Sequence, residues 1–324
     1  MDILPTTIVQ FDMAAHTYKK ISLDELSLDL DKNIIYWVHV DLNAAADLEK
    51  IAKKLSLPDN ILELCEEEKI IPLLIENNDS IAVQVECLQS DQLIDHDIAF
   101  TNFIFFLTSQ FCFTATSEPT PALKEFESSY PKYVNYAETP CFILFLILDN
   151  AINDFSRLLY DFELIADLID ITIREQQDAV YSEVMSRKKQ VMKLQHQIAG
   201  IRDILMRISG KKIPVISDAC RTSLGNLLDH SKIVFNEAVA IRDNLRNTLD
   251  QMDNALMQKM NKTMRVLTAF VAIFLPLSLI AGIYGMNFVW IPELHWKFGY
   301  FWALGLMIAL GLGLYLIFKK MEWF

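Results

Sequence analysis

The sequence is poor in positive charge. Its 324 residues contain 29 Lys and Arg against 42 Asp and Glu, which gives a formal net charge of −13 at pH 7. Such a chain has no general attraction to nucleic acids or to anionic membrane surfaces, so we expect no nucleic-acid partner. An acidic protein of the cytosol, or one that handles cations, agrees better with this charge.

Cysteine is also rare and has no paired spacing. The five cysteines are odd in number, far apart and without a C-x-x-C pair: Cys65, Cys87, Cys112, Cys141 and Cys220. This pattern argues against a disulfide framework and against a thiolate zinc site. We therefore expect free thiols in a reducing compartment.

Motifs for catalysis and nucleotide binding are missing as well. The segment Gly210-Lys211-Lys212 lacks the upstream glycine and the hydroxyl residue of a phosphate-binding loop. The six histidines show no metal-ligand spacing, and no G-x-S-x-G nucleophile motif occurs. These absences predict a protein that is not an enzyme and that uses no organic cofactor.

Two long apolar segments dominate the C-terminal part of the chain. No charged residue occurs from Val266 to Pro292 or from Phe298 to Phe318. About 19 strongly apolar residues in the first segment and about 21 in the second suffice to cross about 30 Å of lipid. The alternative, two buried helices in a soluble core, is disfavoured because such runs are rare in soluble folds. We predict two membrane-spanning helices joined to a soluble part.

Basic residues predict the orientation of these spans. Three basic residues precede the first span and two follow the second: Lys259, Lys262 and Arg265, then Lys319 and Lys320. The connection between the spans has Lys297 as its one fixed positive charge. By the positive-inside rule, both termini and the large N-terminal part lie in the cytoplasm.

The first span is unusual for a lipid anchor because it contains proline, serine and glycine. One helical stripe points toward Asn287 and consists of Met264, Leu267, Val271, Leu275, Ser278 and Gly282. A symmetric ring of such helices can enclose a pore, and these residues would then line it. The alternative is an ordinary helix-packing face.

A short motif ends the first span. Tyr284-Gly285-Met286-Asn287-Phe288 is followed by Pro292-Glu293-Leu294, between two terminal spans and ahead of a basic tail. In this arrangement the chain resembles the CorA family of magnesium and cobalt transporters, most closely from about Thr248 onward. Ile291 departs from the family, which often has methionine there. The resemblance implies a homopentamer embedded in the bilayer that carries divalent cations.

The candidate site follows from this motif. Magnesium loses water reluctantly, so a ring of neutral Asn287 amides suits a hydrated ion, with Gly285 and Met286 completing the mouth. Ser278 offers a second, hydroxyl ring, and Glu293 would raise the local cation concentration. The apolar residues of the stripe form girdles that can gate by excluding water.

Regulation is expected in the cytosolic part. In proteins that resemble this chain, divalent ions between subunits hold the pore shut, so Mg²⁺ would be both the transported and the regulatory ion. Asp229 matches an acidic stalk residue of the family. One turn earlier, Asn226 stands where an acidic ligand is often found, which weakens the expected site.

The predicted fold is an α/β cytosolic domain, a long helical stalk and two C-terminal transmembrane helices, in a CorA-like homopentameric funnel. Strand character marks Ile34–Val40, Ile81–Cys87, Ile98–Leu107 and Phe111–Thr116, and helical character marks Ala44–Leu55, Pro58–Lys69 and Pro121–Tyr130. The predicted segments are an N-terminal domain at 1–138, a helical hairpin at 139–216, a stalk at 217–264 and a membrane domain at 265–324. Within the last, the spans are 266–286 and 298–318, with a loop at 287–297.

The stalk itself is predicted from periodicity. Apolar or small residues recur every three or four positions from Leu228 to Met264 and continue into the membrane stripe. A single helix from Ser217 to Tyr284 would be about 100 Å long. Because such a helix needs partners, a parallel bundle of identical stalks is implied.

Two other functions compete with magnesium import. The same superfamily contains zinc transporters, and the intact Gly285-Met286-Asn287 favours magnesium and cobalt without excluding zinc. A protein of another class, a membrane-anchored scaffold or sensor, would use the spans only as a tether. The polar, glycine-bearing stripe of the first span argues against a tether.

Overall fold

A computed structural model describes residues 6–28, 33–44, 48–66, 71–90, 97–134, 138–172, 177–287 and 296–323, with the side chains of 44, 165–172 and 177–179 left out. The chain divides into two compact units, Met1–Thr248 and Leu249–Phe324.

The first unit contains one seven-stranded sheet in the order β2-β1-β3-β7-β6-β5-β4. Its strands are β1 Thr6–Asp12, β2 Thr17–Lys20, β3 Ile34–Asp41, β4 Leu73–Glu76, β5 Ile81–Leu88, β6 Phe100–Leu107 and β7 Phe111–Thr116. The β3–β7 pair is parallel and the other five pairs are antiparallel.

The described residues of the two units contain seven α-helices. They are α1 Leu48–Leu55, α2 Asp59–Glu66, α3 Pro121–Tyr133, α4 Cys141–Thr172, α5 Gln177–Ser209, α6 Asp218–Tyr284 and α7 Gly299–Lys320. Thr120 caps α3 by accepting a hydrogen bond from the Leu123 N–H, and Pro121 starts the helix with a pre-set φ. Helix α6 continues across the boundary between the units.

The predicted α/β architecture is confirmed. All four predicted strands are present, and the Thr108 N–H donates to the Phe111 carbonyl in the predicted β6–β7 turn. Strands β1, β2 and β4 were not predicted because β2 and β4 have only four residues each and β1 shows no clean alternation.

The sheet is covered on both faces. Alternate residues of β3, such as Tyr36 and Val38, belong to a core shared with α1 and α2. On the opposite face Trp37 is fully buried and meets the Phe126 ring of α3 edge-on, with centroids 4.8 Å apart. Both faces of β3 are therefore apolar, which agrees with its nearly continuous hydrophobic sequence.

Helices α4, α5 and α6 pack together beside the sheet. The Arg202 guanidinium of α5 lies over the Phe235 ring of α6 at 4.4 Å, and Arg242 of α6 donates to Gln195 at 3.1 Å. Arg202, which is later in α5 than Gln195, contacts a residue that is earlier in α6 than Arg242. Helices α5 and α6 are therefore antiparallel. The apolar stripe of α6 that faces this bundle includes Leu224, Leu227, Val234, Ala238, Ile241 and Leu245.

The cysteine prediction is wrong at one point. Cys141 and Cys220 form a disulfide between the first turns of α4 and α6, across 79 residues of sequence. Cys65, Cys87 and Cys112 are free, which accounts for the odd total. No local spacing marks such a bridge, because helix packing alone brings the two residues together.

Candidate functional site

The candidate mouth lies where α6 ends. The Gly285 N–H donates to the Ala281 carbonyl at 2.9 Å, and the Met286 N–H donates to Ile283 at 3.2 Å, in a tighter last turn. Asn287 then follows outside the helix and is exposed. Residues 288–295, which contain Glu293, lie outside the described residues.

Gly285 adopts no positive φ, so left-handed backbone does not explain this glycine. A Cβ at this position would instead lie 3.2 Å from the Ala281 carbonyl oxygen, a tight contact with rigid backbone. At Gly282, one turn earlier, an added Cβ would meet nothing within 4 Å of the same chain. Within one chain, a side chain would therefore be crowded at Gly285 and would have space at Gly282.

The predicted stripe is exposed along its whole length in the single chain. Met264, Leu267, Val271 and Leu275 are 58%, 58%, 52% and 64% exposed, and Ser278 and Gly282 are exposed too. The structure thus presents the six residues on one helix face. Within one chain they meet no partner across a pore, because a ring needs further copies of α6.

The opposite side of the same helix is partly covered. The buried or half-buried residues there are Val266, Ala269, Ala272, Ile273, Pro276, Leu277, Ile280 and Tyr284. At about 100° per residue, their centre lies roughly half a turn away from the centre of the stripe. The chain thus covers one side of the α6 span and leaves the stripe uncovered.

Small residues of α7 lie against the covered side of α6. A Cβ at Gly311 would lie 3.7 Å from a Leu277 methyl group, and Ala303 is buried. A cavity of about 450 Å³ near the end of α6 is lined by Tyr284, Gly285, Trp296, Tyr300 and other residues of the two helices. Helices α6 and α7 are both long and apolar enough to cross a membrane, and only 6% of each apolar segment is buried.

The candidate regulatory residue Asp229 is exposed on α6. Its carboxylate forms an ion pair with Lys232 at 2.8 Å, one turn away, and Asn226 is exposed on the preceding turn. Across the described ranges, no group of three or more His, Cys, Asp or Glu side chains is arranged to hold a metal ion. A divalent-cation site that uses Asp229 therefore needs further ligands from beyond the described residues of this chain.

Sequence reasoning missed a buried polar group in the first unit. Thr114 accepts a hydrogen bond from the Trp37 indole N–H at 2.9 Å and lies 3.0 Å from His39 Nδ1. The Thr114 hydroxyl can donate to His39 Nδ1 or accept from it, and the tautomer of the His39 ring decides which group donates. Burial lowers the pKa of His39 to about 4, although the contact with Thr114 partly opposes this shift.

Comparison with known proteins relates most of the chain to one family. A family model described as "CorA-like Mg2+ transporter protein" matches residues 32–320. The "Cobalt/magnesium transport protein CorA" of Thermotoga maritima is 31% identical over 186 residues, which are 56% of this chain and 52% of that protein. The match therefore spans about half the length of that relative.

Two further similarities cover nearly the whole chain. The "Cobalt/magnesium transport protein CorA" of Methanocaldococcus jannaschii is 24% identical over 306 residues, 93% of this chain and 94% of that protein. The complete structure of the CorA magnesium transporter from Methanocaldococcus jannaschii matches with a TM-score of 0.83 at 19% identity, covering 100% of both chains. This match covers both units of the chain, so the two units have the fold of that structure.

Proposed function

The chain belongs to the CorA-like Mg²⁺ transporter family, and from this membership we propose that it is a homopentameric, channel-like importer of Mg²⁺ that also passes Co²⁺ and Ni²⁺. The family is one of membrane proteins, and its homologues are named for cobalt and magnesium transport. The four sequence segments given above remain our working division of the chain.

The observation that carries this proposal is the uncovered stripe of α6. Lipid readily covers Leu267 and Leu275, but it offers no hydrogen bonds to Ser278 or to the amide of Asn287. Copies of α6 arranged in a ring would place this face on a water-filled axis, with the partly covered side turned outward. The same ring would bring the Asn287 side chains together.

Asn287 supplies the chemistry of selection. Mg²⁺ prefers oxygen ligands in octahedral geometry and retains several waters, so neutral amides that hydrogen-bond its hydration shell suit entry and release. Gly285 and Met286 form the turn that presents this amide. Glu293 in the following loop raises the local concentration of cations at the mouth.

The driving force requires no chemical reaction. A divalent cation that moves inward down about 100 mV gains about 4.6 kcal/mol, twice the value for one elementary charge. Met264, Leu267, Val271 and Leu275 form apolar girdles that close the pore when water leaves them. Both termini lie in the cytoplasm, as the basic residues around the spans indicate.

Internal Mg²⁺ regulates the pore through carboxylates between subunits, with Asp229 as one contributor. Bound Mg²⁺ screens carboxylate repulsion and favours the closed state because it binds that state more tightly. Millimolar Mg²⁺ should therefore slow proteolysis of the first unit more than monovalent salt of equal ionic strength does, and less so in Asp229→Lys. Equal digestion with and without Mg²⁺ would remove this regulatory site.

Ion flux into liposomes that contain the purified protein tests the main proposal. Mg²⁺, Co²⁺, Ni²⁺ and Zn²⁺ are compared at equal concentration and membrane potential, and we expect uptake of the first three. Preferred uptake of Zn²⁺ would assign the chain to the zinc branch of the superfamily. Absence of uptake of any divalent ion by correctly inserted protein would favour the scaffold or sensor.

A further inference from the structure

The Cys141–Cys220 disulfide joins two helices at their starts. Cys141 is the first residue of α4 and Cys220 lies in the first turn of α6. Cys141 is fully buried and Cys220 is 8% exposed. The bridge is therefore an internal fastening of the helix bundle and lies about 65 residues before the mouth motif at the other end of α6.

Few other contacts hold the first turn of α6. Ser217 caps the helix by accepting from the Cys220 N–H at 3.1 Å, and Arg221 pairs with the exposed Asp218 at 2.9 Å. An ion pair with one exposed partner contributes about 0–1 kcal/mol, and the Arg221 guanidinium also donates to the Ile216 carbonyl at 3.5 Å. The next buried apolar contact of the helix is Leu224. The disulfide thus anchors a turn that is otherwise weakly held.

A small cavity borders the bridge on one side. Its volume is about 120 Å³, and its lining includes Phe142 and Phe145 of α4 together with Cys220 and Ser223 of α6. Cys141 does not line it. A thiol that enters this space meets the sulfur of Cys220 first, so the two ends of the bridge differ in accessibility.

We propose that the Cys141–Cys220 disulfide is a redox-cleavable lock on the first turns of α6, opened by small dithiols or by dithiol proteins of the thioredoxin class. In a reducing compartment a protein disulfide is usually transient or redox-sensing. A bridge in the part of the chain that we place in the cytoplasm fits that use. The cytoplasmic placement rests on the proposed function, whereas the bridge itself does not.

The exchange balances with a dithiol as the reductant. A thiolate of the dithiol attacks Cys220 Sγ, the bond between the two protein sulfurs breaks, and Cys141 leaves as a thiolate that takes up a proton. The second thiol of the reductant then attacks the mixed disulfide. The products are two protein thiols and one oxidised dithiol, so two electrons pass to the protein.

The remaining thiols serve as internal controls. Cys87 and Cys112 are fully buried, and burial raises the pKa of both thiols. Burial also raises the pKa of Cys65 to about 12, with a smaller contribution from Glu66. Thiolate is the reactive form, so these three cysteines should react slowly in the folded protein.

Limited trypsin digestion of the full-length protein in detergent tests the lock. Arg221 lies inside the first turn of α6, so cleavage after it requires that turn to unwind. We expect dithiothreitol to raise the cleavage rate at Arg221 about tenfold, equivalent to about 1.4 kcal/mol of local stability. Cys220→Ser should show the fast rate with and without dithiothreitol, and Cys65→Ser should behave as the wild type.

Thiol labelling after denaturation provides the second readout. Oxidised wild-type protein should contain three reactive thiols, as the free cysteines require, and the reduced protein should contain all five. Five thiols in the air-oxidised protein, or equal cleavage at Arg221 in both redox states, would overturn the proposal.

Flux in liposomes separates this inference from the proposed function. If the lock regulates transport, reduced wild type and Cys220→Ser should share a resting Mg²⁺ flux at least about twice that of oxidised wild type, a difference of about 0.4 kcal/mol. Equal flux in both redox states would remove the regulatory role and leave transport intact. Absence of flux in every form would reject transport while the digestion result still decides on the lock.

Discussion

The two units of this protein treat apolar side chains in opposite ways. Met1–Thr248 buries its largest apolar residues, with Trp37, Phe103 and Phe155 at or near zero exposure. Leu249–Phe324 leaves most of its large apolar residues exposed, for example Tyr300 at 74% and Phe301 at 67%. The first unit buries its large apolar residues within its own chain, whereas the second leaves them uncovered within a single chain.

This difference supports the proposed location of the transport site in the second unit. Buried polar groups of the first unit, such as His39 and Thr114, satisfy one another and stabilise a core. The polar groups of the stripe, Ser278 and Asn287, are left exposed next to apolar neighbours. Uncovered polar groups in an apolar segment are costly in lipid, which supports the proposed water-filled path.

The largest expected effect is on the free energy of unfolding, when one large aromatic side chain is removed from each unit. Trp37→Ala should destabilise the first unit by about 3–5 kcal/mol, because it leaves a cavity and removes the indole N–H that donates to the buried Thr114 hydroxyl. Phe301→Ala should change the same unfolding transition by less than about 0.5 kcal/mol, since that ring is exposed. Urea unfolding in detergent, followed by circular dichroism, measures both. Equal losses would mean that the units do not differ in this way.

His39 allows the first unit to be perturbed by pH alone. Its pKa is about 4 in the folded chain and about 6.5 when unfolded, so the unfolded state binds more protons between these values. Stability contributed by the neutral ring is therefore complete at pH 7 and decreases as the pH falls from about 6.5 to about 4, by about 3 kcal/mol. His39→Gln should flatten this part of the stability profile.

A matched histidine provides the control for that experiment. His16 is exposed in the β1–β2 turn, so His16→Gln should keep the wild-type dependence of stability on pH. An unchanged slope in His39→Gln would assign the pH dependence to other titrating groups.

The mouth tests the second unit. Asn287→Ala should reduce Mg²⁺ flux about 10- to 100-fold, corresponding to a net loss, summed over the whole ring, of about one hydrogen bond to a charged ligand. Asn261→Ala, exposed on α6 before the span, should retain the wild-type flux. Liposome uptake measures flux, and size-exclusion chromatography verifies assembly. Normal uptake by a correctly inserted Asn287→Ala variant would reject the amide ring.

The smallest expected effect compares the two sides of one helix. Leu275→Asn on the uncovered stripe should hydrate the girdle and increase the resting current severalfold. Ile273→Asn on the partly covered side should not increase it, although it should weaken packing within the span. Planar-bilayer recording measures both. A larger current from Ile273→Asn than from Leu275→Asn would place the axis on the other side of α6.

Much of the fold was predictable because its signals are local. The strands β3, β5, β6 and β7 follow from runs of β-branched and aromatic residues, and the Thr108-Ser109-Gln110 turn from its composition. The unbroken periodicity of α6 likewise lies in the sequence itself. The short strands β2 and β4 have too few residues to show a period, so sequence reasoning missed them.

The sequence by itself determined where the chain can cross a membrane, which stripe of α6 leads to Asn287, and which family it resembles, since length, charge and helical spacing are properties of neighbouring residues. Only the tertiary structure decided which side of α6 is covered, that Cys141 meets Cys220 across 79 residues, and that His39 is buried beside Thr114. Each of these depends on contacts between distant segments, and such contacts form only when the whole chain pays its loop-closure entropy and packs.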